Sequence, residues 1–196
     1  MATKRAPRTA DAKPGRFVAL LRGVNVGGRN KLPMAELRAV AERLGWRDVA
    51  TYVQSGNLVF TATGSCDGLA DRLANALAEH GDLQVPVVVL SAKAWRTAAT
   101  SPPFADAAAE RPNLLHLAFA RTSPGKPVPG ALQPYCTAGE RVALHAGALA
   151  IDFASGVARA KLTTAVLDRA VGSPVTARNW NSVLAIAKLL GGDPEA

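Results

Sequence analysis

Three short segments of this 196-residue chain hold residue types that can do chemistry. The first is residues 20–33, LLRGVNVGGRNKLP, where Gly23, Gly27 and Gly28 stand among Arg22, Arg29 and Lys31, with Asn25 between. Glycines let successive backbone N–H groups converge on one concavity, and the three cations bias it positive, so the loop is a candidate anion site. A helix opened by Pro33 would add its N-terminal dipole. The spacing is neither G-x-x-x-x-G-K-[ST], since no Ser or Thr follows Lys31, nor G-x-G-x-x-G, so nucleoside triphosphate hydrolysis is not indicated. The second segment is Gln54-Ser55-Gly56-Asn57, preceded by Tyr52, and the third is Arg178-Asn179-Trp180-Asn181. Brought together, these would bind rather than react: Arg178 holding a phosphate or carboxylate bidentately, Asn57 and Asn181 reading polar edges, Tyr52 or Trp180 stacking on a base.

Each of these residues also has a purely structural reading. The glycines can serve a tight strand-to-helix connection while Asn25 and Asn30 bond local backbone, and Gln54 can satisfy a neighbouring strand. Asn179 suits a helix N-cap and Trp180 a core anchor. Groups for proton transfer are few. His80 closes a predicted helix, His116 lies in an apolar strand and His145 sits at a hairpin turn, none with a Ser or Cys partner at a catalytic spacing. Asp152 at a strand end and Lys161 near a helix start form the one acid–base pair to consider, and a surface ion pair explains both equally. No His/Asp/Glu cluster has metal-ligand spacing, and Cys66 and Cys136 read as free thiols of a reducing compartment, so neither metal nor cofactor is indicated.

The elements that must position these segments follow from periodicity. Residues 17–22 read as a buried strand, and Met34, Leu37, Ala41 and Leu44 recur at helical spacing between Pro33 and Gly45. Residues 48–54 alternate and return through 58–61 as a hairpin; Leu69, Leu73, Ala76 and Leu77 mark a second helix ended by Gly81; residues 85–90 form another strand. The order is βαββαβ, the ferredoxin-like pattern. A similar order recurs: a strand over 114–120, a hairpin over 141–153 turning at Ala146 and Gly147, and a helix over 158–171 followed by Gly172-Ser-Pro-Val, which echoes residues 81–87. Four prolines in 121–134 replace the first helix of this half by a loop or short turn. Trp180, Val183, Leu184, Ala187 and Leu190 add a final helix. The expectation is an α+β protein of two ferredoxin-like halves related by duplication, with an extra C-terminal helix. Its parts are a basic tail (1–15), a first half (16–92), a linker with a short helix (93–113) and a second half (114–192).

Composition agrees with a folded chain: 48% apolar and 19% charged, with no uninterrupted run near the ~18 residues of a membrane span. No apolar segment precedes Phe17, so neither a membrane anchor nor a secretory signal is expected, and the protein is expected in the cytoplasm. The net charge is +8, but Lys4, Arg5, Arg8, Lys13 and Arg16 face Asp11 alone within residues 1–16, so half of it lies at the N-terminus. Such an arm attracts nucleic acid through counterion release, or simply solubilises.

The strings LLRGVNVGGRNKLPMAELR, TYVQSGNLVF (51–60) and AKLTTAVLDRAVGSPVTARNWNSVLAIAKLL (160–190) resemble the signatures of a bacterial family known as domain of unknown function 1697. The chain departs from it mainly at Ala177-Arg178, where Thr-Arg is more frequent, and at Arg29, where Lys is. The resemblance covers residues 17–190 and implies a cytoplasmic α+β protein of ferredoxin-like arrangement with no established reaction. RNA-recognition chemistry is not matched, because Tyr52 is the lone aromatic on its hairpin face and the K/R-G-F/Y-G/A-F-V-x-F/Y string is absent. The residues point first to binding of an anionic ligand, nucleic acid or nucleotide, at the Gly-rich basic loop. The alternatives are an enzyme acting on a small phosphorylated or nucleotide substrate, with Arg178 as clamp, and a structural role in which both signatures fix the interface between halves.

Overall fold

The structure, a computed structural model, describes residues 13–28, 30–81 and 83–191. Strands β1 (Gly15–Leu21), β2 (Arg47–Tyr52), β3 (Asn57–Ala62) and β4 (Val87–Ser91) form one antiparallel sheet in the order β2-β3-β1-β4. Strands β5 (Leu115–Phe119), β6 (Arg141–His145), β7 (Ala148–Asp152) and β8 (Thr176–Asn179) repeat it as β6-β7-β5-β8. Both are the ferredoxin-like order. Most of the expected basic tail, residues 1–12, lies outside the described residues. Arg16 belongs to β1, where its Nη1 donates to the Asp48 carbonyl at 2.9 Å.

Helix α1 (Met34–Arg43) opens after Pro33, whose φ of −58° needs no adjustment, and closes before Gly45 in the left-handed region. Helix α2 (Cys66–Gly81) follows β3. In the second half the loop or short turn expected over 121–134 is instead a short helix, α5 (Val128–Leu132), which tolerates Pro129 in its first turn where no N–H is needed, followed by a 3₁₀ turn at Gln133–Tyr135. Helix α6 (Thr164–Val171) starts later than its apolar periodicity suggested. The Thr163 hydroxyl accepts the Val166 N–H, ending the chain's freedom there, and residues 157–159 are a separate 3₁₀ turn. The segment between halves holds two helices instead of one, α3 (Ala92–Ala98) and α4 (Ala105–Glu110). The C-terminal helix is α7 (Trp180–Leu189).

The repeat extends to α3 and α7, each starting directly after the fourth strand of its half. Ser91 caps α3 by accepting the Ala94 N–H at 3.2 Å, and Asn179 caps α7 by accepting the Ser182 N–H at 2.9 Å. The two helices lie between the sheets, where Trp95 of α3 stacks on Phe119 with ring centroids 5.0 Å apart and donates from Nε1 to the Val183 carbonyl of α7. Both sheets are therefore covered on both faces. Phe17, Ala19 and Leu21 pack under α1 and α2, while Val18 and Leu20, their alternates, pack in the central layer with Leu115, Leu117 and Phe119. On the far side, Ala118, Leu149 and Ile151 meet Leu132 and Leu167. Among the described residues no helix is long and apolar enough to cross a membrane.

Candidate functional site

The Gly-rich loop is fastened to the β2–β3 turn before it does anything else. The Leu21 N–H donates to the Gly56 carbonyl at 2.9 Å, and the Arg22 N–H donates to the Pro86 carbonyl at 3.0 Å. Gly56 has φ +73°, and a Cβ there would stand 2.6 Å from Val24 Cγ2 and 2.8 Å from Leu21 Cβ, so no larger residue fits between turn and loop. The turn begins at Val53, φ +48°, which takes Val53 and Gln54 out of the strand expected to contain them. Asn25, φ +56°, holds the loop's two ends. Its Nδ2 donates to the carbonyls of Leu32 and Gln54, its Oδ1 accepts the Leu32 N–H, and its own N–H donates to the Asn30 carbonyl. Asn30 Nδ2 closes the circuit on the Gly23 carbonyl. Both asparagines thus bond local backbone, the structural reading of the two. Gly27, Gly28 and Lys31 lie at the exposed tip, and Arg29 lies outside the described residues.

Arg178 crosses from the second half into this junction. It is 8% exposed, and every one of its N–H groups has an acceptor. Nε donates to Asn57 Oδ1 in a short contact, Nη1 to Thr176 Oγ1 and the Ala177 carbonyl at 2.8 Å, and Nη2 to the carbonyls of Leu21 at 2.8 Å and Ser55 at 3.0 Å. Asn57, fully buried, is held in turn by donating from Nδ2 to the Tyr52 carbonyl and Ser55 Oγ. All five acceptors are neutral. Burial without a carboxylate pushes the Arg178 pKa down to about 10, because the charged form has lost its water.

Beside Arg178 a cleft of about 600 Å³ opens between the halves. One wall is Leu21, Arg22, Gly23, Val24, Val26 and Ser55; the other is β8, Phe153, the 157–164 segment and the start of α6. Arg22 reaches across it, its Nη1 2.9 and 2.7 Å from the two carboxylate oxygens of Asp168 on α6. Asp168 also accepts the Val175 N–H at 2.8 Å, so the carboxylate is anchored twice. His116 lines the same space. Its Nδ1 lies 3.2 Å from the Leu114 carbonyl, a contact that requires the Nδ1–H tautomer and leaves Nε2 an acceptor, and burial pushes its pKa down, favouring the neutral ring.

The duplication shows which contacts both halves make and which only one makes. Just after β5, Arg121 pairs with Asp71 on α2, and just after β1, Arg22 pairs with Asp168 on α6. Each half thus sends an arginine from the end of its first strand to the second helix of the other half. The Arg178–Asn57 cluster has no such counterpart. Val18 is opposite Val59 and Leu90, whereas Leu117, at the equivalent register, is opposite Ala150 and Arg178. Leu90 therefore stands in β4 where Arg178 stands in β8, and Ala148 opens β7 where Asn57 opens β3.

Of the residues singled out in the sequence, the structure brings Arg22, Gly23, Ser55 and Arg178 to the cleft. Asn179 is the cap of α7, Trp180 is buried in the central layer, Asn181 is exposed on α7, and Tyr52 packs against the central layer. Asp152 is wholly buried; desolvation alone would raise its pKa, but Arg111 and Arg141, each bonding its carboxylate, hold it below its ordinary range. Lys161 is exposed and makes no ion pair with any described residue. The apolar periodicity runs the helix on from 158 and so hides Thr163 and Thr164 within it, although a Thr just before an apolar repeat is an N-cap signal. In the sequence His116 stands only as a histidine in an apolar strand with no partner at a catalytic spacing, and Phe153 carries no signal beyond strand character. Among the described residues no three His, Cys, Asp or Glu side chains come together as a metal site.

Two ferredoxin-like halves, joined face to face with a cleft at one of their seams, define a duplicated α+β protein. The chain belongs to the protein family of unknown function DUF1697, whose model matches residues 15–149. The third string of the resemblance, residues 160–190, lies beyond that match. The fold is similar to that of a conserved bacterial protein, SP0830 from Streptococcus pneumoniae, at 22% identity and a TM-score of 0.64, over 91% of this chain and 99% of that one. No curated protein matches the chain.

Proposed function

We propose that the cleft between the halves binds a small anionic molecule, a nucleotide or another phosphorylated compound, with the Gly-rich loop as one wall. The observation that carries this is Arg178: a desolvated guanidinium with no carboxylate in contact, at a position where the other half places leucine. Besides the hydrogen bonds by which Arg178 joins the halves, its charge lies in the wall of the cleft with no carboxylate to neutralise it, which supports a role in attracting anions. A cation in a low-dielectric wall acts over the cleft's width far more strongly than one in water. Arg178 has no N–H left to offer and acts through its field. Direct contact falls to Arg22, whose Nε and Nη2 have no acceptor among the described residues. The enclosed shape favours a small molecule over a nucleic-acid polymer, because the sheet face on which bases would stack is buried between the halves.

Calorimetric titration with phosphorylated compounds at low salt, alongside native mass spectrometry of freshly purified protein, tests the proposal. Expected is binding that weakens at least fivefold in Arg22→Gln. Absence of binding across the panel, or equal affinity in the variant, refutes it. A second reading, turnover of such a ligand, is favoured by His116, a neutral imidazole with Nε2 unprotonated at the cleft. It requires that His116→Gln abolish hydrolysis of a bound phosphoester while leaving affinity intact; no turnover above that variant removes it.

A further inference from the structure

Resting on the cleft's assignment to an anion, we infer that its ligand is amphiphilic: a small organic oxyanion carrying an apolar body, free in solution. At one end of the cleft Arg178 holds the Leu21 and Ser55 carbonyls at the junction of loop and turn, and Arg22 follows Leu21 in the chain. The opposite wall carries His116, Thr163 and Thr164 but is mainly apolar: Phe153, Leu162, Leu167 and Val175 line it from the second half's own core, with Ala158 and Ala160 beside them. At the rim, Val26 of the loop and Val157 of the 3₁₀ turn come from opposite halves and are 64% and 48% exposed. Two large uncovered valines flanking a cleft are apolar surface that a hydrophilic ligand would leave wet, and that an apolar body would cover.

Size agrees with this. Pockets for small organic ligands run to about 300–1,000 Å³, are mainly apolar, and hold a few placed polar groups that set orientation. A bare anion would fill only a small part of a 600 Å³ space and meet none of its apolar wall. The head group is placed by Arg22. Asp168 remains fixed by the Val175 N–H, so the ion pair persists while Nε and Nη2 of Arg22 turn to the ligand.

The test is calorimetric titration of the full chain with phenyl phosphate and phenylacetate as amphiphilic probes, inorganic phosphate and glucose 6-phosphate as hydrophilic ones, and benzyl alcohol as the neutral one. At least one aromatic anion should bind tenfold or more tighter than both hydrophilic phosphates and the alcohol. Its affinity should fall at least fivefold in Arg22→Gln and in Val157→Ser, a rim change at an exposed position that leaves the fold intact. Equal affinity for glucose 6-phosphate overturns the amphiphilic ligand and leaves the anion site standing. Equal affinity for benzyl alcohol shows that the charged head plays no part and overturns the inference, as does failure of every probe to bind, which overturns the anion site with it.

Discussion

Replacing Arg178 by methionine sets two large effects against each other, and their sizes can be read from the structure. Methionine removes a buried charge, and the fall of the Arg178 pKa to about 10 corresponds to a desolvation cost of roughly 3 kcal/mol, which the variant recovers. Against this, the Leu21 and Ser55 carbonyls and Asn57 Oδ1, all in the first half, lose the donor that joined them to β8. Each buried acceptor left unpaired costs about 1–3 kcal/mol, so together they outweigh the recovered term. The net expectation is a loss of about 3 kcal/mol, or a Tm lower by about 6–12 °C in a protein of this length. Arg178→Lys should fare no better, because the ammonium keeps the buried charge and offers three donors where five acceptors wait. Urea unfolding followed by circular dichroism, with a calorimetric melt, measures both. A methionine variant as stable as the parent, or more so, would refute the claim that Arg178 fastens the halves, since desolvation would then exceed all the hydrogen bonds it makes.

Gly56→Ala should destabilise by about 2–4 kcal/mol, from the left-handed backbone and from overlap with Val24 and Leu21, measured by urea midpoint; a loss below 0.5 kcal/mol by order of magnitude would mean the loop gives way freely. Asn179→Ala, which removes the cap of α7, should cost about 1 kcal/mol in the same assay. Acid should unfold the protein partly through two aspartates. The hydrogen bond from Arg141, aided by Arg111, lowers Asp106 to about 2, and both arginines hold Asp152 below its ordinary value. Their folded pKa values lie below the unfolded ones, near 3.9 for aspartate, so the stability they contribute is present above about pH 4 and lost as pH falls towards 2. Tm recorded across that window should fall less steeply in Arg141→Gln than in the parent; parallel profiles would remove the two aspartates from the acid limb.

Much of the architecture was legible in the sequence for local reasons. Pro33, Gly45 and the apolar spacing of α1 bound that helix, Ala146-Gly147 makes its hairpin by positive φ at both residues, and the prolines after Ala120 leave only the five-residue α5 in that stretch. Such features depend on one residue's backbone or on a period within one element, so neighbours in sequence carry them. The recurrence of a helix end, a proline and a strand revealed the duplication for the same reason. Asn179 as a cap was legible too.

Only the tertiary structure decided what the polar residues do. Arg22 and Arg178 look alike in sequence, yet one forms an ion pair with Asp168 across the cleft and the other is enclosed by five neutral acceptors, four of them drawn from β8, the end of β1 and the β2–β3 turn. Asp152 and Lys161 are nine residues apart in the chain, but the carboxylate went to Arg111 and Arg141. Charge and hydrogen-bonding capacity are properties of a side chain, whereas the partner that satisfies them arrives from a distant segment when the halves close. The cleft itself exists only because two cores pack with a gap at one seam, a matter of volume between elements that no single stretch of sequence encodes.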